Sequence, residues 1–400
     1  MYDWANSAFS TTVMAGFFPI FFEKYWSNPD DVIQSTYQLG WANSLASIVI
    51  AALAPFLGAI ADRGSAKKKF LIFFCYMGMV MTGGLYMVGQ GQWQMAVMVY
   101  IAASVGFMGA NIFYDSLLPS VAPKEKMNYV SSLGFALGYI GGGLLFLINV
   151  LMYLHPQWFG VADAATAIKL SFLSVAVWWG VFTIPLLLFV PEPQISDSLP
   201  LVRAISAGYR QLRITFKQIR QLKIIGMFLL AYWLYIDGVD TIIRMSVKMG
   251  SSLGFEAGDL ITALLMVQFI AFPAALGYNW FASKIGTKKA VLIAIGGYSV
   301  VTLLAYFMTV KLHFYILAAL IGLFQGGVQA LSRSLFTRLV PRGKEAEFFG
   351  FYNFIGKSSV FFGPFMVSGI ALITNSPGAG ILSLLILFIP GLILLRKVPD

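Results

Sequence analysis

The sequence predicts an all-α integral membrane protein with twelve transmembrane helices in two pseudo-symmetric bundles of six. Three observations predict it. The 400 residues are 58% hydrophobic and 11% charged, with 35 Phe and 39 Gly, whereas soluble domains carry roughly 25% charged residues. The apolar runs are each about 20 residues long, enough to cross ~30 Å of hydrocarbon as a helix, and lack the short alternation of a β-barrel. The second half of the chain also repeats the first at a fixed offset.

Apolar runs between polar punctuation give spans over 2–25, 38–61, 69–89, 93–119, 129–153 and 167–190, then over 223–249, 256–282, 289–309, 313–340, 347–373 and 378–396. They divide the chain into a first bundle over 1–190, a linker over 191–222 and a second bundle over 223–400. The first run has neither a basic leader nor a small-residue cleavage site, so it is expected to stay as helix 1. Met1 stands almost inside it, which leaves room for a short basic leader ahead of it. Its opening, YDWANSAF, puts Asp3, Asn6 and Ser10 on one helical face. A charge at the bilayer centre costs roughly 2.5–3.5 kcal/mol even on insertion scales, so Asp3 needs a partner, a watery cavity or a job. The face is expected to point at a central cavity near Asp115. Gly134, Gly138 and Gly142 form a small-residue ridge expected to let the bundles slide or rock, and Pro19, Pro55, Pro273 and Pro364 mark bends. In the linker, Leu201, Ile205, Leu212, Phe216 and Ile219 alternate with basic residues, the pattern of an amphipathic helix on the cytoplasmic membrane face or of a solvated tether.

Orientation follows from the basic residues, which concentrate in short cytoplasmic loops. With both termini inside, twenty of the 27 lysines and arginines fall in cytoplasmic segments and only Lys24, Lys169, Lys248 and Lys311 fall outside. The net charge of +10 is therefore a topology signal and gives no reason to expect nucleic acid. A shift of 218 residues lays Gly109 on Gly327, Ser116 on Ser334, Pro123 on Pro341, Lys124 on Arg342 and Lys126 on Lys344. It also lays Asp115 on Arg333, opposite charges at equivalent depths.

After the second span, GAIADRGSAKKK resembles the loop signature of the major facilitator superfamily, matched by Gly58, Asp62, Arg63, Gly64 and Lys67 to Lys69. The second-half counterpart, GYNWFASKIGTKKA, keeps Gly277, Lys284, Gly286, Lys288 and Lys289 but has Ser283 where an acid is usual. YDWANSAF, NIFYDSLLP, SLGFALGYIGGG, AYWLYIDGV and QALSRSLF followed by EFFGFYNFIGK together resemble the vacuole-effluxer-like branch of that superfamily, named for a fungal vacuolar amino-acid exporter involved in autophagy. The resemblance implies secondary transport by alternating access, a gate at Asp62 and Arg63, and an amino-acid-like solute.

Polar residues inside the spans supply the site. Gln325, Gln329 and Arg333 stack at i, i+4 and i+8 on span 10; Asn111 and Asp115 do so on span 4, with Tyr114 beside them, and Asn353 and Lys357 on span 11. Span 7 carries Tyr235, Asp237, Asp240 and Arg244, the last two spaced to pair within one helix. The expected substrate site is Asn111, Tyr235, Asp237, Gln325, Gln329, Arg333, Asn353 and Lys357, with Asp237 compensating Lys357, and Asp3 and Asp115 are the candidate proton carriers. Structural ion pairing is the competing reading of these charges. The single Cys75 excludes an internal disulfide, and two distant histidines, His155 and His313, give no metal cluster. No GxxxxGK[ST] loop occurs, so ATP is not the direct energy source, and no nucleophile cluster or acid pair points to an enzyme. The expectation is a monomeric, cofactor-free, proton-coupled transporter of a small zwitterion in a bacterial inner membrane, with both termini cytoplasmic. A transporter or flippase of lipid-like or cell-wall-derived amphiphiles is the alternative.

Overall fold

The computed structural model describes residues 1–28, 32–193, 207, 223–358 and 362–399, and every regular element among them is helical. The first half comprises α1 (residues 2–26), α2 (Val32–Gly64), α3 (Lys67–Gly84), α4 (Trp93–Ser116), α5 (Met127–Leu154) and α6 (Ala164–Phe189). The second comprises α7 (Lys223–Ser252), α8 (Ala257–Ile285), α9 (Thr287–Tyr306), α10 (Lys311–Leu339), α11 (Glu345–Ser358 and Phe362–Thr374) and α12 (Pro377–Leu382, continued as Leu385–Arg396). Ten of these helices are long and apolar enough to cross a membrane. The other two expected spans are α1 and α11. Parts of α1 are wound loosely, with the Phe18 N–H bonded to the Val13 carbonyl and Ser27 N–H to Phe22 O five residues back; Pro19, which has no N–H to give, lies between these turns. In α11, residues 359–361 lie outside the described residues. So does the expected linker helix from residue 194 onward, apart from residue 207.

Each half has its own apolar core. Phe9, Phe113, Phe146 and Trp179 are fully buried in the first, and Tyr235, Tyr298, Phe336 and Phe388 in the second. The Gly138–Gly142 ridge serves the first core: it seats α1, with Ser7 and Thr11 lying directly over it. The close helix approach expected of the ridge is thus made between α1 and α5. Across the seam between halves, α2 packs on α11, α5 on α8 and α10, and α4 on α11.

Both termini lie at one end. Lys68, at the start of α3, donates to the Val190 carbonyl at the end of α6, and Lys288, at the start of α9, donates to the Val398 carbonyl after α12. Asn128 at the start of α5 donates to Thr287 at the start of α9, 2.8 Å across the seam. Here α2 and α11 touch backbone to backbone: a Cβ on Gly350 would stand 2.7 Å from the Ala54 carbonyl oxygen, so only glycine permits this approach.

Candidate functional site

A buried cluster of charges ties the halves together near the terminal end. Arg333 of α10 is 4% exposed. Its Nη1 lies 3.0 Å from Asp115 Oδ1 of α4 and its Nη2 3.7 Å from Asp3 Oδ2 of α1. Nε donates to Ser131 Oγ at 2.9 Å and Nη2 to the Ser131 carbonyl at 3.0 Å, both on α5. The guanidinium also lies over the Phe135 ring, 4.4 Å from its centroid. Asp3 accepts a 2.6 Å bond from the Tyr114 hydroxyl, Asn353 of α11 donates to Asp115 Oδ2 at 3.4 Å, and Asn6 donates to Asn111 at 2.6 Å. Gly134 makes room: any side chain there would collide with the Asp3 carboxylate. Buried ions survive only when paired and hydrogen-bonded, and this cluster satisfies that with residues from both halves. The 218-residue offset reappears in space, since Asp115 bonds its own repeat equivalent. Asp115 also meets position 353 while Arg333 meets position 135, a second equivalent pair.

Nearer the terminal surface, a second cluster crosses the seam. The Asp62 carboxylate accepts from the backbone N–H groups of Ala346 and Glu347, at 3.1 and 2.8 Å, in the first turn of α11. A carboxylate at a helix N-terminus meets both free N–H donors and the positive end of the dipole. Lys67 bridges Asp62, 3.0 Å away, and Glu345, 2.7 Å away. Arg63, the expected gating partner, is exposed, and Lys67 takes the place beside Asp62.

Deeper on the seam, Tyr139 of α5 donates to Gln329 Oε1 of α10 at 2.8 Å, and Gln268 of α8 donates to Thr11 of α1 at 2.8 Å. Gln325, one turn from Gln329, has a buried Oε1 without a hydrogen-bond partner among the described residues. Asn111, Gln329, Arg333 and Asn353 are thus brought together with Asp3 and Asp115. Two expected site residues are directed elsewhere. Tyr235 bonds Ser332 inside the second half. Asp237 accepts from Thr241 and from the Gly363 N–H at the start of the second segment of α11, so its contacts also stay within that half. The Lys357 side chain lies outside the described residues.

Ser131, Lys67 and Gln268 were not anticipated from sequence. Repeat arithmetic could have proposed the Asp115–Arg333 pair, but no spacing rule identifies a cross-helix serine. Beneath the Arg333 cluster lies a chamber of about 280 Å³ walled by Tyr2, Leu118, Pro185, Phe189 and Val190, with Asp115 and Arg333 also in its lining.

The family described as vacuole effluxer Atg22-like matches residues 32–399. An uncharacterized transporter of the major facilitator type from Bacillus subtilis (strain 168), YxiO, is 39% identical over 100% of this chain and 94% of its own length. Autophagy-related protein 22 of Pichia angusta is 29% identical, over 83% of this chain and 69% of its own. Among solved structures, the proton:xylose symporter XylE bound to 6-bromo-6-deoxy-D-glucose superposes with a TM-score of 0.74 at 14% identity, covering 100% of this chain and 94% of that one. A bacterial homologue of the iron transporter ferroportin, in an outward-facing state, gives 0.68 at 12% identity, covering 99% and 96%. At such identities these two speak for the fold alone. A twelve-helix fold whose halves meet through repeat-equivalent charges, and a family match over nearly all of its length, show that this chain belongs to the vacuole-effluxer Atg22-like family of major facilitator transporters.

Proposed function

We propose that the protein moves a small zwitterionic, amino-acid-like solute by alternating access, coupled to protons, with its termini in the cytoplasm of a bacterial cell and one chain as the working unit. The observation that carries this reading is the Asp115–Arg333 pair, buried and shared between the halves. Opening the terminal end requires Arg333 to leave with the second half. Asp3 and Asp115 then remain on the first half without their common counter-charge, the arrangement in which one carboxylate carries a proton through the cycle. Asp62, Lys67 and Glu345 act as the outer lock of the same closed end. Gln325, Gln329, Asn111 and Asn353 line the solute path above and beside the pair. The word effluxer in the family description supports export, and the relation to autophagy-related protein 22 supports an amino-acid-like solute by analogy.

One observation favours the amphiphile alternative: the chamber beneath the charge cluster is mostly apolar, and its wall residue Phe189 is 79% exposed on the outer surface. The deciding experiment is flux through purified protein in proteoliposomes, with labelled amino acids, with and without an imposed pH gradient, beside a fluorescent lysophospholipid. Gradient-driven amino-acid flux that is lost in Asp115→Asn supports the reading. Lipid movement without amino-acid flux replaces it, and amino-acid flux indifferent to the gradient removes the proton.

A further inference from the structure

Asp237 is a buried acid that the ion pairs of the fold leave over. It stands halfway along α7, inside the membrane-spanning stretch Lys223–Val247, and is 1% exposed. One carboxylate oxygen is served: Oδ1 accepts from the Thr241 hydroxyl at 3.2 Å and from the Gly363 N–H, at the start of the second segment of α11, at 3.1 Å. The other is not. Oδ2 is buried and has no hydrogen-bond partner among the described residues, and none of the ion pairs formed there includes Asp237.

The charges around Asp237 do not supply a base. On α7 itself Asp240 and Arg244 follow at i+3 and i+7 on the same face, the nearer of them a like charge. On α8, α9 and α10, which pack on α7, charged side chains stand near the helix ends, except for Arg333, which is bonded to Asp115. Neither α12 between Pro377 and Leu395 nor the second segment of α11, Phe362–Thr374, carries a charge. The first segment of α11 has Glu345 and Glu347 in its first turn and, farther along, Lys357, whose side chain lies outside the described residues. The tyrosines of these helices are neutral near pH 7.

An isolated carboxylate is too costly to keep ionised in such a place, and the group neutralises by taking up a proton. Two donors on Oδ1 and a helix start favour the anion, whereas burial without a base favours the acid. The carboxyl is thus set to exchange a proton. The packing is close: a Cβ on Gly363 would overlap the Thr241 hydroxyl and stand 2.7 Å from Asp237 Oδ1. Of all cations, a proton is the one that needs no added space.

We propose that Asp237 is a proton-binding site of the second half, protonated in this closed-end form and separate from the Asp3–Asp115 pair. When the Oδ2–H bond breaks, the proton passes to an entering water or base, and the charge left behind requires the second segment of α11 to loosen from α7 to admit it. The site does not depend on which solute the protein moves.

The test is infrared spectroscopy of purified full-length protein near pH 7, in ordinary and heavy water, read at the carbonyl stretch of protonated carboxylic acids. Wild type should show a band that shifts in heavy water; Asp237→Asn should lose it and Asp115→Asn should keep it. The melting temperature of Asp237→Asn should match wild type, because the amide is neutral and keeps the acceptor oxygen. A band unchanged in Asp237→Asn would overturn the proposal. So would a fall in its melting temperature that Lys357→Gln restores, which would make Asp237 the counter-ion of that lysine. A band removed by sodium chloride and not by choline chloride would overturn it too, since the site would then hold a metal ion. Should Asp237→Asn fail to fold, Thr241→Val carries the test: it removes a donor that favours the anion, so the band, which fades as wild type is titrated with base, should fade only at higher pH. An unmoved midpoint in Thr241→Val would likewise overturn the proposal.

Discussion

The two halves close their third and sixth helices with the same clasp and then diverge. In the first, Lys68 Nζ donates to the Leu187 and Val190 carbonyls at 2.7 and 2.6 Å. In the second, Lys288 Nζ donates to the Val398 carbonyl at 2.8 Å. Even the carbonyl ends recur, as Val190-Pro191-Glu192 and Val398-Pro399-Asp400, although Asp400 lies outside the described residues. The loops just before the clasps differ. Asp62 reaches across the seam to the first turn of α11, whereas Ser283 is exposed and turns its hydroxyl back to the Trp280 carbonyl of its own helix. The clasp is a device for building a half. A single acid beside it ties the turn of the first half to α11 of the second, so this tie across the seam is one-sided.

If crossing the seam is what distinguishes these devices, damage should scale with how deeply a residue crosses it. The largest effect is expected at Arg333. Arg333→Met leaves Asp115 and Asp3 buried without their base, which costs about 3–5 kcal/mol, read as a sharp drop in melting temperature and folded yield in detergent. Adding Asp115→Asn should restore part of that loss, because it removes one of the stranded charges. A double variant no better than the single one would mean that the aromatic and serine contacts of Arg333, rather than its charge, hold the seam.

A smaller effect, on populations more than on folding, is expected at Asp62. Asp62→Asn weakens two charge-assisted hydrogen bonds and the pair with Lys67, and bonds to charged groups are worth about 1.5–3 kcal/mol each. Spin labels on the exposed positions Lys69 and Arg342 should then report a longer-distance population at the terminal end. Ser283→Asp, the acid that the second-half loop lacks, should leave that distribution unchanged, because an exposed carboxylate is screened by water. Matching shifts from both substitutions would erase the asymmetry on which the comparison rests.

Much of this could be read from the chain, and what could not has a physical cause. Length and apolarity fix where helices cross, so the spans and the clustering of basic loops at one end were legible, and the 218-residue repeat laid Asp115 on Arg333 as opposite charges at equivalent depths without pairing them. Spacing along one helix, however, says only which residues share a face. It could not foresee that Asp237 would hold the Gly363 N–H inside its own half. Lys67 displaced Arg63 beside Asp62 for a similar reason. Ser65, between them, has a positive φ of 48°, and this turn brings the start of α3 back onto the end of α2, a reversal that no periodicity records.

The smallest effect is expected within one half, at Glu192. Its carboxylate accepts from the Lys68 and Lys69 N–H groups at 2.9 and 3.3 Å, which secures the end of α6 to the first turn of α3 without touching the second half. Partial burial pushes this carboxyl above the usual range, against the pull of those N–H donors. An acid whose pKa is higher in the folded than in the unfolded chain contributes stability that is complete below the unfolded value and is lost as pH rises through the folded one. Glu192→Gln cannot ionise and lacks that loss. The melting temperature of the variant relative to wild type should therefore climb between pH 4 and pH 8, by less than the equivalent of about 1 kcal/mol, because the group is partly exposed and screened. Label distances across the seam should not move. A relative melting temperature that falls with rising pH would show that the ionised carboxylate's bonds to the α3 N-terminus outweigh its burial. A shift in the seam distances would show that the clasp of the first half is already part of the lock.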